Sequence, residues 1–137
     1  MNYAASGPML VVDASVLFEV VADTAHAETL RERLSRDVDH VAPHLIDAEV
    51  LSVIQTHHRR GALDATAAQQ AVDDLREWPG ERWAHRALLT RAWELRANVR
   101  GYDAIYVALA EALDAPLLTL DARLARVSTL QCSVEVL

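Results

Sequence analysis

Residues 10–15 read Leu-Val-Val-Asp-Ala-Ser, an apolar run that stops at the carboxylate of Asp13. Such a run predicts a buried strand that carries Asp13 to the edge of a sheet. The pattern returns near the other end of the chain, where residues 117–121 read Leu-Leu-Thr-Leu-Asp and stop at Asp121. Because ligands of open α/β sheets bind at the carboxyl ends of the strands, the functional site is predicted at this edge.

The segments around these two strands alternate between helical and extended patterns. Helical patterns cover residues 15–21, 26–36, 43–60, 65–77, 86–98, 102–113 and 122–126, and strand patterns cover 37–42, 81–85 and 134–137. Ser15 and Asp64 are predicted to cap the helices beside them, and Pro43 is predicted to open its helix. Strands that alternate with helices predict a three-layer α/β fold, in which helices flank a central, mostly parallel sheet.

The length of 137 residues predicts a single domain. We expect this domain to cover residues 9–137, after a flexible N-terminal tail over residues 1–8, with Met9 as an alternative to Met1 as the natural start. No apolar run approaches the roughly 20 residues that span a bilayer, and no basic-then-apolar leader opens the chain. With a single cysteine, Cys132, read as a small buried side chain, this predicts a cytoplasmic protein without membrane contact.

The charge balance narrows the possible functions. A net charge of −7 argues against a broad basic surface for nucleic acid, so any such contact must be local. All 13 basic residues are Arg, and the lack of Lys excludes P-loop nucleotide binding, Schiff-base chemistry and phosphoryl-accepting receiver domains. The glycines never form Gly-x-Gly-x-x-Gly, so the dinucleotide fingerprint is absent. Trp78, Trp83 and Trp93 are predicted as core or dimer-contact residues rather than as base-stacking platforms.

Two further carboxylates stand beside apolar helical segments. Glu49 borders the apolar stripe of the helix predicted over 43–60, and Asp103 lies in the first turn of the helix predicted over 102–113. If these two converge with Asp13 and Asp121, they repel one another, and a divalent cation resolves the repulsion. Oxygen ligands select Mg²⁺ or Mn²⁺ over Zn²⁺, and the six His residues form no rival site. Such an ion is suited to the hydrolysis of a phosphodiester.

Each of these acids also has a purely structural interpretation. Asp13 and Asp121 are typical helix N-caps, Asp103 suits the positive end of a helix, and Glu49 could extend to water. The hydroxyl of Ser15 could bind a ligating carboxylate or a substrate phosphate instead of capping a helix. Thr119 is first a strand residue and second a hydroxyl that supports the site.

Four segments, in this order, resemble the acidic motifs of the PIN domain, and specifically of the VapC toxins of bacterial toxin–antitoxin pairs. They read Val-Val-Asp-Ala-Ser at 11–15, Ala-Glu-Val-Leu-Ser-Val-Ile at 48–54, Tyr-Asp-Ala-Ile-Tyr-Val-Ala-Leu-Ala-Glu at 102–111 and Leu-Leu-Thr-Leu-Asp at 117–121. The resemblance spans nearly everything from Met9 on. It implies a Mg²⁺-dependent endoribonuclease, with Mn²⁺ as a substitute, whose catalytic and metal-binding acids are Asp13, Glu49, Asp103 and Asp121.

The same resemblance implies inhibition by a cognate VapB-type antitoxin and a homodimeric state, which the apolar helices between residues 45 and 75 also favour. Asn98 resembles a polar position that the family often carries near its site. Ala122-Arg123 stands where some members carry a fifth acid, so one firmly bound ion is expected and a second is left open. The competing hypotheses are a non-catalytic, acid-lined binding domain and a DNA-directed nuclease of the same fold.

Overall fold

A computed structural model of the chain describes residues 8–37 and 39–137. The tail predicted over residues 1–8 lies outside this part except for Pro8. The carbonyl of Pro8 accepts a hydrogen bond from the Asp39 amide at 3.3 Å, so this residue is already tied to the sheet. Among the described helices, none has the length and apolar character that a membrane span requires.

The centre of the fold is a sheet of five strands, which are all parallel within the described residues. In chain order they are β1 (Met9–Val12), β2 (Asp39–Pro43), β3 (Glu81–Trp83), β4 (Leu117–Thr119) and β5 (Val134–Val136). Their order across the sheet is β3-β2-β1-β4-β5, and Val11 of the central strand pairs with Val41 on one side and Leu117 on the other. The α/β prediction with a central sheet is therefore confirmed.

Six α-helices flank this sheet in the described part of the chain. They are α1 (Ala14–Val21), α2 (Ala27–Leu34), α3 (Leu45–Arg59), α4 (Ala65–Glu77), α5 (Leu89–Glu94) and α6 (Gly101–Ala112). The side chain of Asp64 accepts a hydrogen bond from the Ala67 amide at 2.8 Å, so the predicted cap of α4 is confirmed. Every residue from Ala104 to Ala110 is buried, as expected for a helix that is apolar nearly all round.

Three boundaries differ from the sequence prediction. Pro43 ends β2 instead of opening a helix, and the next amide, that of His44, donates to the Trp83 carbonyl at 2.8 Å. The helix predicted over 86–98 is reduced to a 3₁₀ turn and the short α5, because residues 95–99 fold as turns that bury Leu95 and Val99. The helix predicted over 122–126 is a single 3₁₀ turn, Leu124–Arg126.

The tryptophans divide between the core and the surface. Trp78 and Trp83 pack partly buried against the core, as predicted. Trp93 differs, because 67% of its surface is exposed on α5 and the guanidinium of Arg96 lies over its ring at 4.3 Å. Trp93 therefore does not occupy the core, and of the two predicted positions only the dimer contact stays open for it.

Candidate active site

The carboxylates predicted as the site line one open cleft of about 460 Å³: Asp13, Glu49, Asp103 and Asp121. Asp13 directly follows β1, and Asp121 follows the end of β4 by two residues, so the parallel sheet brings both to its carboxyl edge. Glu49 belongs to α3 and Asp103 to the first turn of α6. Four distant parts of the sequence thus bring these acids to the same depression, and α1 adds Glu19.

Asp13 is the most firmly fixed of these side chains and is only 7% exposed. Its Oδ1 atom accepts hydrogen bonds from the Ser15 hydroxyl at 2.6 Å and from the Val16 amide at 3.1 Å, and the Thr119 hydroxyl donates to Oδ2. Burial raises the pKa of Asp13, whereas these donors act to lower it. The carboxylate is therefore held in one orientation at the floor of the cleft.

These contacts decide the roles of the two hydroxyl residues. Asp13 itself is the N-cap of α1, so the prediction that Ser15 caps this helix is wrong. Ser15 instead orients the Asp13 carboxylate, and its oxygen also accepts a hydrogen bond from the Leu120 amide at 3.2 Å. Thr119 is a fully buried strand residue, and its hydroxyl oxygen also accepts a hydrogen bond from the Asp121 amide at 3.0 Å. It thereby links the two strand ends that carry acids.

Glu49 is half-buried and bound to a neighbouring side chain instead of extending to water. The hydroxyl of Tyr106 donates to its Oε1 atom at 2.8 Å. Burial raises the pKa of Glu49, and the negative charges of Asp103 and Asp13 raise it further, although the tyrosine opposes this. Burial and the same carboxylate also raise the pKa of Tyr106, so its proton stays on the hydroxyl.

Asp103 and Asp121 lie at the rim of the cleft and differ in their partners. Asp103 accepts no side-chain hydrogen bond from the described residues and does not cap α6. Burial raises the pKa of Asp103, and the charge of Asp121 adds to the effect. Asp121 is paired with the exposed Arg123, whose Nη2 lies 2.8 Å from Oδ2, and this pairing lowers the pKa of Asp121.

Asn98 is exposed and lines a smaller cavity of about 130 Å³, which Asp103 and Asp121 also border. It therefore stands beside the acids, although it does not enter the main cleft. Four polar or charged residues of the cleft escaped the sequence interpretation: His57, Tyr106, Arg123 and Glu19. Helix spacing could have found the first two, because His57 lies eight residues after Glu49 on α3 and Tyr106 lies three after Asp103 on α6.

The donor set of the cleft fits a hard divalent cation. It offers carboxylate oxygens, and because burial raises the pKa of three of the acids, a divalent cation would stabilise their charged forms. Among the described residues, no three His, Cys, Asp or Glu side chains stand close enough to form a complete metal cage. Mg²⁺ commonly needs only one or two carboxylates and keeps several waters, so this geometry suits Mg²⁺ better than Zn²⁺.

Addition of Mg²⁺ is expected to raise the melting temperature of the wild-type chain and to raise that of an Asp103→Asn variant much less. With Mg²⁺ bound, the wild type should therefore melt at the higher temperature, and in EDTA this ranking of the two proteins should reverse. There the variant should melt at the higher temperature, because it lacks one of the charges that burial and repulsion disfavour. Calorimetry of both proteins in EDTA and in Mg²⁺ measures the two shifts.

The matched control is Asp74→Asn on the exposed surface of α4, where the Gln70 amide group donates to the Asp74 carboxylate at 2.9 Å. This variant should gain as much from Mg²⁺ as the wild type does. Equal stabilisation of Asp103→Asn and wild type by Mg²⁺ would show that the ion binds elsewhere.

Comparison with known proteins places this cleft in a family. The chain matches the model of the PIN domain over residues 10–130. It is 42% identical over 118 residues to Ribonuclease VapC3 of Mycobacterium tuberculosis, covering 85% of each chain. It is 38% identical over 128 residues to Ribonuclease VapC9 of the same organism, covering 93% of this chain and 98% of the relative.

A solved structure shares the fold at much lower identity. The match is to VapBC2 from Rickettsia felis bound to a DNA fragment from its promoter, with a TM-score of 0.67 and 14% identity. The alignment covers 94% of this chain and 98% of that one. Together, the family match, the two relatives and the shared fold show that the chain belongs to the PIN-domain family and, within it, to the VapC family.

Proposed function

We propose that this protein is a metal-dependent endoribonuclease that acts in the cytoplasm as the toxin of a type II toxin–antitoxin pair, inhibiting growth when free of its antitoxin. The observation that carries the proposal is the convergence of Asp13, Glu49, Asp103 and Asp121 on one cleft. The relatives named as VapC ribonucleases support RNA as the substrate, since they align over most of the chain.

The residues of the cleft divide the proposed reaction between them. Asp13 and Asp103 are the proposed direct ligands of Mg²⁺ or Mn²⁺, and Glu49 and Asp121 would contact the ion through water. The bound ion would supply an activated water and neutralise charge on the phosphodiester. Ser15 and Thr119 keep the Asp13 carboxylate in its orientation, and their hydrogen bonds prevent it from rotating away from the cleft.

Glu49 is the proposed acceptor of the proton that the attacking water releases. Burial raises the pKa of Glu49, whereas the charge of a bound ion would lower it, so this role rests on the position of Glu49 in the cleft. The Tyr106 hydroxyl occupies Oε1, which leaves Oε2 to receive the proton. Arg123 at the rim is suited to contact a phosphate of the substrate, because its side chain is 74% exposed even while it pairs with Asp121.

A VapB-type antitoxin is the proposed inhibitor, supported by the fold shared with a VapBC complex. An acidic cleft on a chain of net charge −7 attracts basic groups, so an Arg or Lys of the antitoxin could pair with Asp13 and Asp103. This contact would compete with the metal and with the substrate phosphate. A second copy of the chain is a further proposed partner, through the apolar surface of α3 and α4 around the exposed Leu51.

A cleavage assay on matched RNA and DNA oligonucleotides tests the proposed function. We expect RNA to be cut in Mg²⁺ or Mn²⁺, DNA to remain intact, and EDTA or the protein encoded by the upstream gene to stop the reaction. Cutting of DNA at the same rate would favour the DNA-nuclease hypothesis. Absence of cleavage in both metals would favour a binding domain, and full activity in EDTA would exclude the proposed metal.

A further inference from the structure

An apolar groove of about 470 Å³ lies between α5 and α6, outside the acid-lined cleft. Leu89 and Trp93 border it, with 55% and 67% of their surfaces exposed. Arg96 and Arg100 also border it, and no acidic side chain of the described residues does. Large exposed side chains that share a groove mark a binding surface more often than isolated ones do.

The groove brings two arginines next to an exposed indole ring. Elsewhere in the fold, Arg33, Arg82 and Arg91 each form an ion pair with a carboxylate. Arg96 and Arg100 form no ion pair with any described carboxylate, and the Arg96 guanidinium stacks on Trp93. A protein of net charge −7 thus presents a local surface of two arginines and an indole ring, and the charge of Arg100 also acts to lower the pKa of the neighbouring Asp103.

The groove is continuous with the candidate active site. Val99 and Arg100 line both the groove and the small cavity of about 130 Å³ next to it. Asp103 and Asp121 line both that small cavity and the acid-lined cleft. A flexible polymer bound at the acids can therefore extend past Arg100 to Trp93 and stay in contact with the protein, because the three depressions share lining residues.

We propose that this groove binds the single-stranded part of the RNA substrate that extends from the cleavage site. A base replaces the Arg96 guanidinium on the Trp93 ring, and the released Arg96 contacts the backbone phosphates together with Arg100. Aromatic rings and arginines are the groups that hold single strands, because every base has a flat face and every nucleotide has a phosphate. The inference rests on the proposed ribonuclease function and adds how the substrate is held.

The test compares binding of long and short single-stranded RNA, about 20 and about 4 nucleotides, because only the long strand reaches beyond one site. Binding is measured in EDTA, so that no strand is cut. We expect Trp93→Ala to weaken binding of the long RNA roughly tenfold relative to the short RNA. Trp93→Phe should restore most of this difference, because it keeps an aromatic face.

The contribution of the two arginines is tested by the salt dependence of RNA binding. The double variant Arg96→Gln and Arg100→Gln should make the plot of log affinity against log salt shallower by roughly 1.4 for the long strand, the value for two lost phosphate contacts. Arg76→Gln is the matched control, since Arg76 is exposed on α4 away from the groove and should leave the slope unchanged.

The outcomes separate this inference from the proposed function. If the wild type cuts the long RNA but the groove variants bind it with wild-type affinity and salt slope, the groove inference is wrong and the nuclease function stands. If the variants lose only the protein inhibitor, the groove is a protein-binding surface and the inference is also wrong. If the wild type neither binds nor cuts RNA, both proposals fail.

Discussion

Replacement of Asp103 by Asn is expected to lower metal-dependent RNA cleavage on the order of 10³-fold while the chain stays folded. Asn keeps the shape of the side chain but removes the charge that would hold the ion. The fold should persist because the Asp103 carboxylate accepts no hydrogen bond from the described residues and its burial as a charge is unfavourable. Cleavage rates in Mg²⁺, together with circular dichroism of the same samples, measure both parts.

The control for this prediction is Asp74→Asn, which makes the same chemical change on the exposed face of α4 and should cleave at the wild-type rate. The Asp13→Asn variant should be equally inactive but should also perturb α1, because Asp13 caps this helix and accepts from Ser15 and Thr119. Asp103 is therefore the cleaner test. An Asp103→Asn variant with near wild-type activity would remove this residue from the proposed site.

The strands that carry acids could be predicted from sequence because both signals are local. An apolar run that ends at a carboxylate specifies a buried strand and its functional end in six residues or fewer, and β1 and β4 follow that pattern. The buried α6 could be predicted for the same reason, since its apolar character is visible on all sides. From the alternation of strands and helices, the parallel sheet then followed.

The contacts inside the cleft could not be predicted, because they join residues that are distant in sequence. Thr119 reaches Asp13 across more than a hundred residues, and Tyr106 reaches Glu49 across 57. No periodicity within one segment encodes such pairs. For Ser15, sequence reasoning left helix capping and a hydrogen bond to a ligating carboxylate open. Asp13 is the N-cap, and Ser15 donates to the Asp13 carboxylate.

The groove beside α5 shows a second limit of local patterns. A helical pattern over residues 86–98 predicts one amphipathic helix with Trp93 on the apolar face. The turns at 95–99 end that helix early and bury Leu95 and Val99, while Trp93 is left on the outer surface. The hydrophobic pattern identifies apolar residues correctly, but tertiary packing decides which of them the core accepts.

Replacement of Arg33 by Met is expected to lower the free energy of unfolding by about 3 kcal/mol. Arg33 is a buried charge on α2, 8% exposed, that joins Asp37 to the last strand of the sheet. The Arg33 guanidinium pairs with Asp37 and with both carboxylate oxygens of Glu135 on β5. Its Nη2 atom lies 2.8 Å from Oε1 of Glu135. Removal of Arg33 leaves the Asp37 carboxylate, which is 11% exposed, without this partner.

The matched control is Arg31→Met on the same helix, which breaks the ion pair between Arg31 and Asp23. These side chains are 50% and 76% exposed, so the loss should stay within about 1 kcal/mol. Urea denaturation of the three proteins measures the differences. Equal losses for the Arg33→Met and Arg31→Met variants would show that burial of the Arg33 pair adds no stability.

The effect of Arg33 should also depend on pH in a defined direction. The guanidinium lowers the pKa of Glu135 below its ordinary value, so the folded state releases this proton more readily than the unfolded state does. The resulting stability is present above the ordinary glutamate pKa and is lost as pH falls through the lowered one. The gap in unfolding free energy between wild type and Arg33→Met should therefore narrow with acidification. Strand β5 pairs with β4, which leads to Asp121 in the cleft. The Arg33–Glu135 ion pair therefore stabilises the strand next to one that carries an acid of the candidate active site.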